Sequence, residues 1–196
     1  KPDVIIDYSN PASLDMLLEY CLSTGTPAVF ATTGYNDEQI SRIKAAGSQI
    51  PVFFTFNMSL GINLLVQLAK KAADILGDHF DIEIVEKHHN QKIDAPSGTA
   101  IMLANAINET LDNSRHYVYD RHSQRKKRDK NEIGMHAIRG GTIVGEHDVI
   151  FAGHDEVITL SHSASSKSVF AEGSINAAVY LVGKEPGLYD MANLVN

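Results

Sequence analysis

Cysteine, positive charge and long apolar runs are all scarce in this sequence, and each shortage closes off a class of function. One cysteine, Cys21, occurs in 196 residues, so an internal disulfide is impossible and a reducing cytoplasm is the expected setting. Lys and Arg total 17 against 24 Asp and Glu, a formal net charge of -7. That balance supplies no broad field for a phosphate backbone and argues against nucleic acid as a partner. No apolar stretch approaches the roughly 20 residues of a membrane-spanning helix. Lys1 to Asp7 has the character of neither a signal nor a transit peptide, so a soluble protein with no membrane partner is expected. No Gly-x-Ser-x-Gly elbow occurs, which weighs against a Ser-His-Asp hydrolase. There is no initiator Met either: Lys1-Pro2-Asp3 leads directly into the apolar Val4-Ile5-Ile6.

With 43% hydrophobic and 21% charged residues, the chain can bury a sizeable core as one large domain or two small ones. Its first quarter alternates short apolar runs with amphipathic stretches, the pattern of βα units feeding a parallel sheet. Strands are expected at Val4–Ile6, Pro27–Ala31 and Val52–Thr55. Ser9-Asn10-Pro11 supplies cap and first-turn chemistry for a helix with Leu14, Leu17, Leu18 and Cys21 on its inner stripe, ending near Gly25. Cys21 then reads as core filler. A second helix is expected over Asp37–Ala46. In doubly wound sheets ligands sit at the carboxyl ends of strands, which draws attention to Ala31–Gly34 and Thr55–Ser59.

A helix from Ser59 to about Leu76 shows Leu64, Leu65, Leu68, Ala72, Ile75 and Leu76 at helical spacing. Beyond Gly77 a strand runs to Glu86-Lys87-His88-His89, followed by a polar loop and a helix from Ser97. Ser114–Lys130 reads as a long surface loop, with Arg125-Lys126-Lys127-Arg128 as a solvated tip. Strands at Ile133–Arg139, Gly145–Ala152 and Glu156–Ala164 follow at short intervals. They imply an open, antiparallel or mixed, four-stranded sheet in an α+β unit. A helix over Lys167–Leu181, with Val169, Phe170, Ile175, Ala178 and Val179, returns to the earlier pattern.

Reactive side chains concentrate in Glu86–Ala100. His88 and His89 can exchange protons near neutral pH, and Lys92 can hold charge or donate a proton. Ser97, Gly98 and Thr99 would open a helix whose first-turn N–H groups suit a carboxylate or phosphate. Taken without its neighbours, Ser97 reads first as an ordinary N-cap. Metal binding is not expected. Adjacent histidines in a strand point to opposite faces, Lys is a poor ligand, and His136, His147, His154 and His162 are scattered.

The run Glu86-x-His88-His89-x-x-Lys92-x-Asp94-Ala95-Pro96-Ser97-Gly98-Thr99-Ala100 closely resembles the signature of the dihydrodipicolinate reductases. Ala31-Thr32-Thr33-Gly34, Asn57-Met58-Ser59, Arg139 to His147, Ala164-Ser165-Ser166 and Gly187 to Met191 match the same family in order. The resemblance implies a reductase of lysine and diaminopimelate biosynthesis that uses NADH or NADPH on a cyclic dicarboxylate, 4-hydroxy-tetrahydrodipicolinate. It gives His88 and Lys92 the proton-transfer roles, and His89, Lys92, Ser97, Gly98 and Thr99 the substrate. Ala31, Thr32 and Thr33 with Thr55, Phe56, Asn57 and Met58 would line the nicotinamide side of the cofactor.

The resemblance further implies the later part of a Rossmann-type parallel-sheet domain, residues 1–58 and 168–196, flanking an α+β catalytic domain, residues 59–167, with hinges near Met58-Ser59 and Ser166-Lys167. Homotetramers assembled through the open sheet are expected. Family members begin with a Gly-x-x-Gly-x-x-Gly turn, absent from this sequence, so roughly 70 residues, about half a nucleotide-binding domain, are expected upstream. Two other readings stay open: a silent oligomerisation and substrate-binding module, or a different nicotinamide dehydrogenase of the same architecture.

Overall fold

The computed structural model describes residues 1–195. The chain divides into two compact units, residues 1–63 with 168 onward, and residues 64–167.

In the first unit, strands β1 (Ile5–Asp7), β2 (Ala28–Phe30), β3 (Pro51–Phe54) and β9 (Gly187–Tyr189) form a parallel sheet in that order. Every residue of β2 and β3 is buried, as a parallel sheet covered on both faces requires. Strand alternation sorts the core into two layers. Phe30, Val52 and Phe54 pack with Leu14, Leu18 and Cys21 of α1 (Leu14–Thr24) and Ile43 and Ala46 of α2 (Asp37–Ala46). Val29 and Phe53 pack with Ala177 and Leu181 of a later helix, here α5 (Ser168–Leu181). Cys21 is fully buried, and burial pushes its thiol up to about 11, so it is an inert core residue. Local chemistry sets the helix ends. Gly25, at φ 63°, ends α1 in the left-handed conformation that glycine adopts without penalty. Asn36 and Gln39 exchange side-chain bonds with each other's backbone N–H to start α2.

The second unit carries a five-stranded mixed sheet in the order β5-β6-β4-β7-β8: β4 (Asp81–His88), β5 (His116–Val118), β6 (Glu132–Arg139), β7 (Gly145–Ala152) and β8 (Val157–Ala164). β5, β6 and β4 run parallel, while β7 and β8 are antiparallel to their neighbours. On one face Ile82, Ile84, Ile133, Met135, Val149 and Phe151 are buried, and α4 (Gly98–Thr110) lies against β4 with Leu103, Ala104 and Ile107 buried.

Several expectations change. The second sheet has five strands rather than four, because three residues inside the stretch read as loop, His116–Val118, pair with β6; so short a segment shows no periodicity. The basic run is not a solvated tip throughout. Arg128 donates to Glu83, Asp81 and the Glu132 carbonyl, and upstream Arg121 bonds Glu83 and Glu132, because carboxylates on the sheet require cations. On α3 (Leu60–Leu76) the buried stripe is Ile62, Leu65, Ala69 and Ala73, while Leu64, Leu68 and Ile75 are exposed. On α5 the buried residues are Gly173, Ser174, Ala177 and Leu181, while Ile175 and Val179 are exposed. Part of the cause is that the buried faces use small residues, Ala69 and Ala73 on α3 and Gly173, Ser174 and Ala177 on α5. A Cβ on Gly173 would lie 1.7 Å from the Met58 carbonyl oxygen.

Candidate active site

β4 brings Glu86 and His88 to the same face through the two-residue period of a strand. Antiparallel pairing sets Glu86 opposite His147 of β7, and parallel pairing sets His88 opposite Arg139 at the end of β6. The start of the turn after β6 is tied to β4, since the Gly140 N–H donates to the His88 carbonyl at 2.9 Å.

Glu86 is the hub. Its carboxylate is 1% exposed. Oε1 accepts from Arg139 Nη2 at 2.7 Å and from the Ser97 backbone N–H at 3.0 Å; Oε2 lies 2.8 Å from Arg139 Nη1 and 2.6 Å from His88 Nδ1. Burial pushes the carboxyl up, but the bonds from Arg139, His88 and Ser97 outweigh it and hold the group below the ordinary glutamate range. Arg139 also donates to the Asp94 carbonyl at 2.7 Å, which pins the loop between β4 and α4.

That loop carries His89 and Lys92, both partly buried, with Lys92 Nζ 2.8 Å from Asp94 Oδ1. Ser97 ends the loop as the N-cap of α4, its hydroxyl accepting from the Ala100 N–H at 3.2 Å. The Ser97 N–H is committed to Glu86, so the first-turn surface is offered from Gly98 onward. Gly98 is exposed, and a Cβ there would meet nothing within 4 Å. The space is open to an anion at the positive end of the helix.

His147 completes the cluster. It is 4% exposed, its Nε2 lies 3.1 Å from Ser97 Oγ, and its ring meets that of His88 edge-on at 5.2 Å. Burial, then the neighbouring His88, lower its pKa to about 4, so it is neutral at physiological pH.

The second set of expected residues belongs to the first unit. Paired registers of β2 and β3 place Ala31 and Thr55 side by side at the carboxyl edge of the sheet. Asp7, at the end of β1, organises this edge. Its carboxylate accepts from the Ser9 N–H and hydroxyl at 3.0 and 2.6 Å, Thr32 at 2.9 Å and Tyr35 at 2.7 Å. Burial opposes the charge of Asp7, and these bonds still hold its pKa low. Thr32 and the Met58 side chain are therefore occupied within the protein, Met58 in the core. Thr33 and Phe56 remain exposed, with Phe56 edge-on to Phe54 at 5.4 Å. Small residues and one flat apolar ring fit an aromatic ring system approaching the backbone.

Asp7 draws no attention in the sequence, and Glu86, Arg139 and His147 stand there only within the matched motifs, with no role of their own. For Asp7 and Glu86 the signal is a carboxylate ending a strand or lying two residues from a candidate histidine, whereas Arg139 and His147 reach the site only through strand pairing.

The profile described as "Dihydrodipicolinate reductase, N-terminus" matches residues 1–58, and "Dihydrodipicolinate reductase, C-terminus" matches residues 61–195. The chain is 54% identical over 195 residues to the 4-hydroxy-tetrahydrodipicolinate reductase of Caldanaerobacter subterraneus subsp. tengcongensis, covering 100% of this chain and 77% of that protein. It is 49% identical over 193 residues to the enzyme of the same name from Clostridium novyi, covering 98% and 76%. Among solved structures, the dipicolinate-bound dihydrodipicolinate reductase from Paenisporosarcina sp. TG-14 superimposes with a TM-score of 0.77 at 26% identity, covering 98% of this chain and 74% of that one.

Proposed function

The chain belongs to the dihydrodipicolinate reductase family, and on that premise we propose that it reduces 4-hydroxy-tetrahydrodipicolinate to tetrahydrodipicolinate, with loss of water, in lysine and diaminopimelate biosynthesis. The observation that carries the reading is the Glu86 hub, which ties a proton-exchanging histidine, a lysine-bearing loop and an open helix start to one carboxylate.

A bound NADH or NADPH supplies the hydride. Ala31–Thr33 and Thr55–Met58 would hold its nicotinamide end, through backbone and the exposed Thr33 and Phe56, since the Thr32 and Met58 side chains are engaged within the protein. The protein's own groups bind, orient and move protons. Lys92 draws the anionic substrate and donates a proton to it, His88 exchanges a proton, and His89 with Ser97, Gly98 and Thr99 holds the carboxylates. Because the Ser97 N–H already bonds Glu86, Ser97 serves by starting the helix whose next residues face the anion. We assign residues 1–58 and 168–196 to nucleotide binding and residues 59–167 to substrate binding and assembly as a cytoplasmic homotetramer.

The test is substrate-dependent oxidation of NADH and NADPH, followed by absorbance, with 4-hydroxy-tetrahydrodipicolinate as substrate. Oxidation that requires the substrate is expected. Its absence with both cofactors, while an unrelated 2-keto or imino acid is reduced, would replace this reading with a different dehydrogenase.

A further inference from the structure

His88 has two ring nitrogens, and which of them exchanges a proton is decided by what the other one meets. Nδ1 lies 2.6 Å from Glu86 Oε2. Ionised Glu86 can only accept, and its two oxygens are engaged by Arg139, Ser97 and His88. Nδ1 must therefore carry a hydrogen. On the other side of the ring, Nε2 faces β7, where a Cβ built on Gly145 would lie 3.1 Å from Nε2 and 3.5 Å from Cδ2. Any side chain at 145 would press on that nitrogen.

We propose that Glu86 is a positioning residue that holds His88 as the Nδ1–H tautomer, making Nε2 the atom that exchanges a proton with the substrate, and that Gly145 keeps the approach to Nε2 open. The proposal rests on the reading of His88 as the proton-exchanging group. When Nε2 gives up a proton, the ring is left neutral with its remaining hydrogen still donated to Glu86. When Nε2 takes one, the positive ring faces that carboxylate. The other groups facing the ring agree with this arrangement. Arg139, on β6, is neutralised by Glu86, and His147, on β7, is uncharged with its ring steeply inclined to that of His88.

Glu86→Gln inverts the preference. An amide nitrogen in place of Oε2 opposes one donor, Arg139 Nη1, whereas in place of Oε1 it opposes two, Arg139 Nη2 and the Ser97 N–H. The first orientation is favoured, and it donates to Nδ1, leaving the hydrogen on Nε2. The experiment is a long-range proton–nitrogen correlation spectrum of the 15N-labelled protein with neutral His88, assigned by the signal lost in His88→Gln, together with steady-state kinetics.

Wild type should show the Nδ1–H pattern. Glu86→Gln should show the Nε2–H pattern and lose about 100-fold in kcat, with KM changed far less. An Nε2–H pattern in wild type, or an unchanged tautomer or kcat in folded Glu86→Gln, would overturn the proposal. If Glu86→Gln does not fold, Gly145→Ala decides: kcat should fall about tenfold, an effect smaller than that of losing general acid–base catalysis altogether, with the wild-type tautomer retained. Wild-type kcat in Gly145→Ala overturns the role of Nε2. The tautomer is read without turnover, so a protein with the Nδ1–H pattern that reduces no substrate counts against the activity reading alone.

Discussion

Arg139 grips both carboxylate oxygens of Glu86, at 2.7 and 2.8 Å, from the neighbouring strand β6. The pair is bidentate, the arrangement in which a guanidinium holds a carboxylate most strongly. It also fixes more than itself, because the same arginine holds the Asp94 carbonyl and the same carboxylate holds Ser97 and His88.

Removing the arginine leaves a buried carboxylate without its cation. Arg139→Leu should lower stability by about 3 kcal/mol, read as a shifted midpoint in urea unfolding with an unchanged slope. A midpoint equal to that of wild type would show that Glu86 finds another partner.

His147 makes stability depend on mild acid. Its folded pKa, about 4, lies below the ordinary histidine value of 6.5 because it is buried beside His88. The unfolded chain therefore binds the proton first, and stability is lost as pH falls from about 6.5 to about 4. By linkage this group alone removes about 2 kcal/mol by pH 5. His147→Gln should flatten the dependence between pH 7 and pH 5 in urea unfolding. An equally steep dependence in the variant would assign it to other groups.

Glu132 acts lower on the pH scale. Arg121, 2.6 Å away, holds its pKa at about 2 against the burial that opposes charge. Its folded pKa is depressed, so the stabilisation is complete above the ordinary glutamate value of 4.5 and is lost as pH falls towards about 2. Arg121→Gln should be less stable than wild type at pH 7, and the gap should narrow below pH 4.5. Circular dichroism during acid titration checks this, and a gap constant with pH would contradict it.

Gly173 allows α5 to touch the backbone of Met58. Its absent side chain would sit 1.7 Å from a carbonyl oxygen, and a backbone atom cannot swing aside. Gly173→Ala should cost about 3 kcal/mol, at the upper end of overpacking effects. Thermal unfolding unchanged from wild type would show that the helix shifts freely.

Lys92→Ala tests the proposed chemistry directly. If Lys92 faces the substrate and donates its proton as proposed, kcat/KM should fall at least about 100-fold, with kcat and KM both affected. Kinetics within about twofold of wild type would remove Lys92 from the reaction.

Much of this protein can be read along the chain because the responsible forces are local. The start of α2 follows from Asn36 and Gln39, three residues apart, and β7 lies between the turn residues Gly140-Gly141 and Gly153. The cluster from His88 to Thr99 is contiguous, so its residue types and spacing are visible without a fold. The buried faces of α3 and α5 are not legible from bulk, because Leu64, Leu68, Ile175 and Val179 are exposed while Ala69, Ala73, Gly173 and Ala177 are buried. Bulk can be seen in one helix, but close approach takes two elements.

The sequence alone determined the βα and α+β parts, the family and the segment that holds the candidate site, because periodicity, caps and a continuous motif act over a few residues. Only the tertiary structure decided that β5 joins the second sheet, that Arg128 is bound rather than solvated, and that Glu86 links Arg139, His88 and Ser97. Those partners come from residues up to 53 positions apart. Hydrogen bonds and ion pairs need atoms within about 3 Å, a proximity that strand pairing creates and linear order does not reveal.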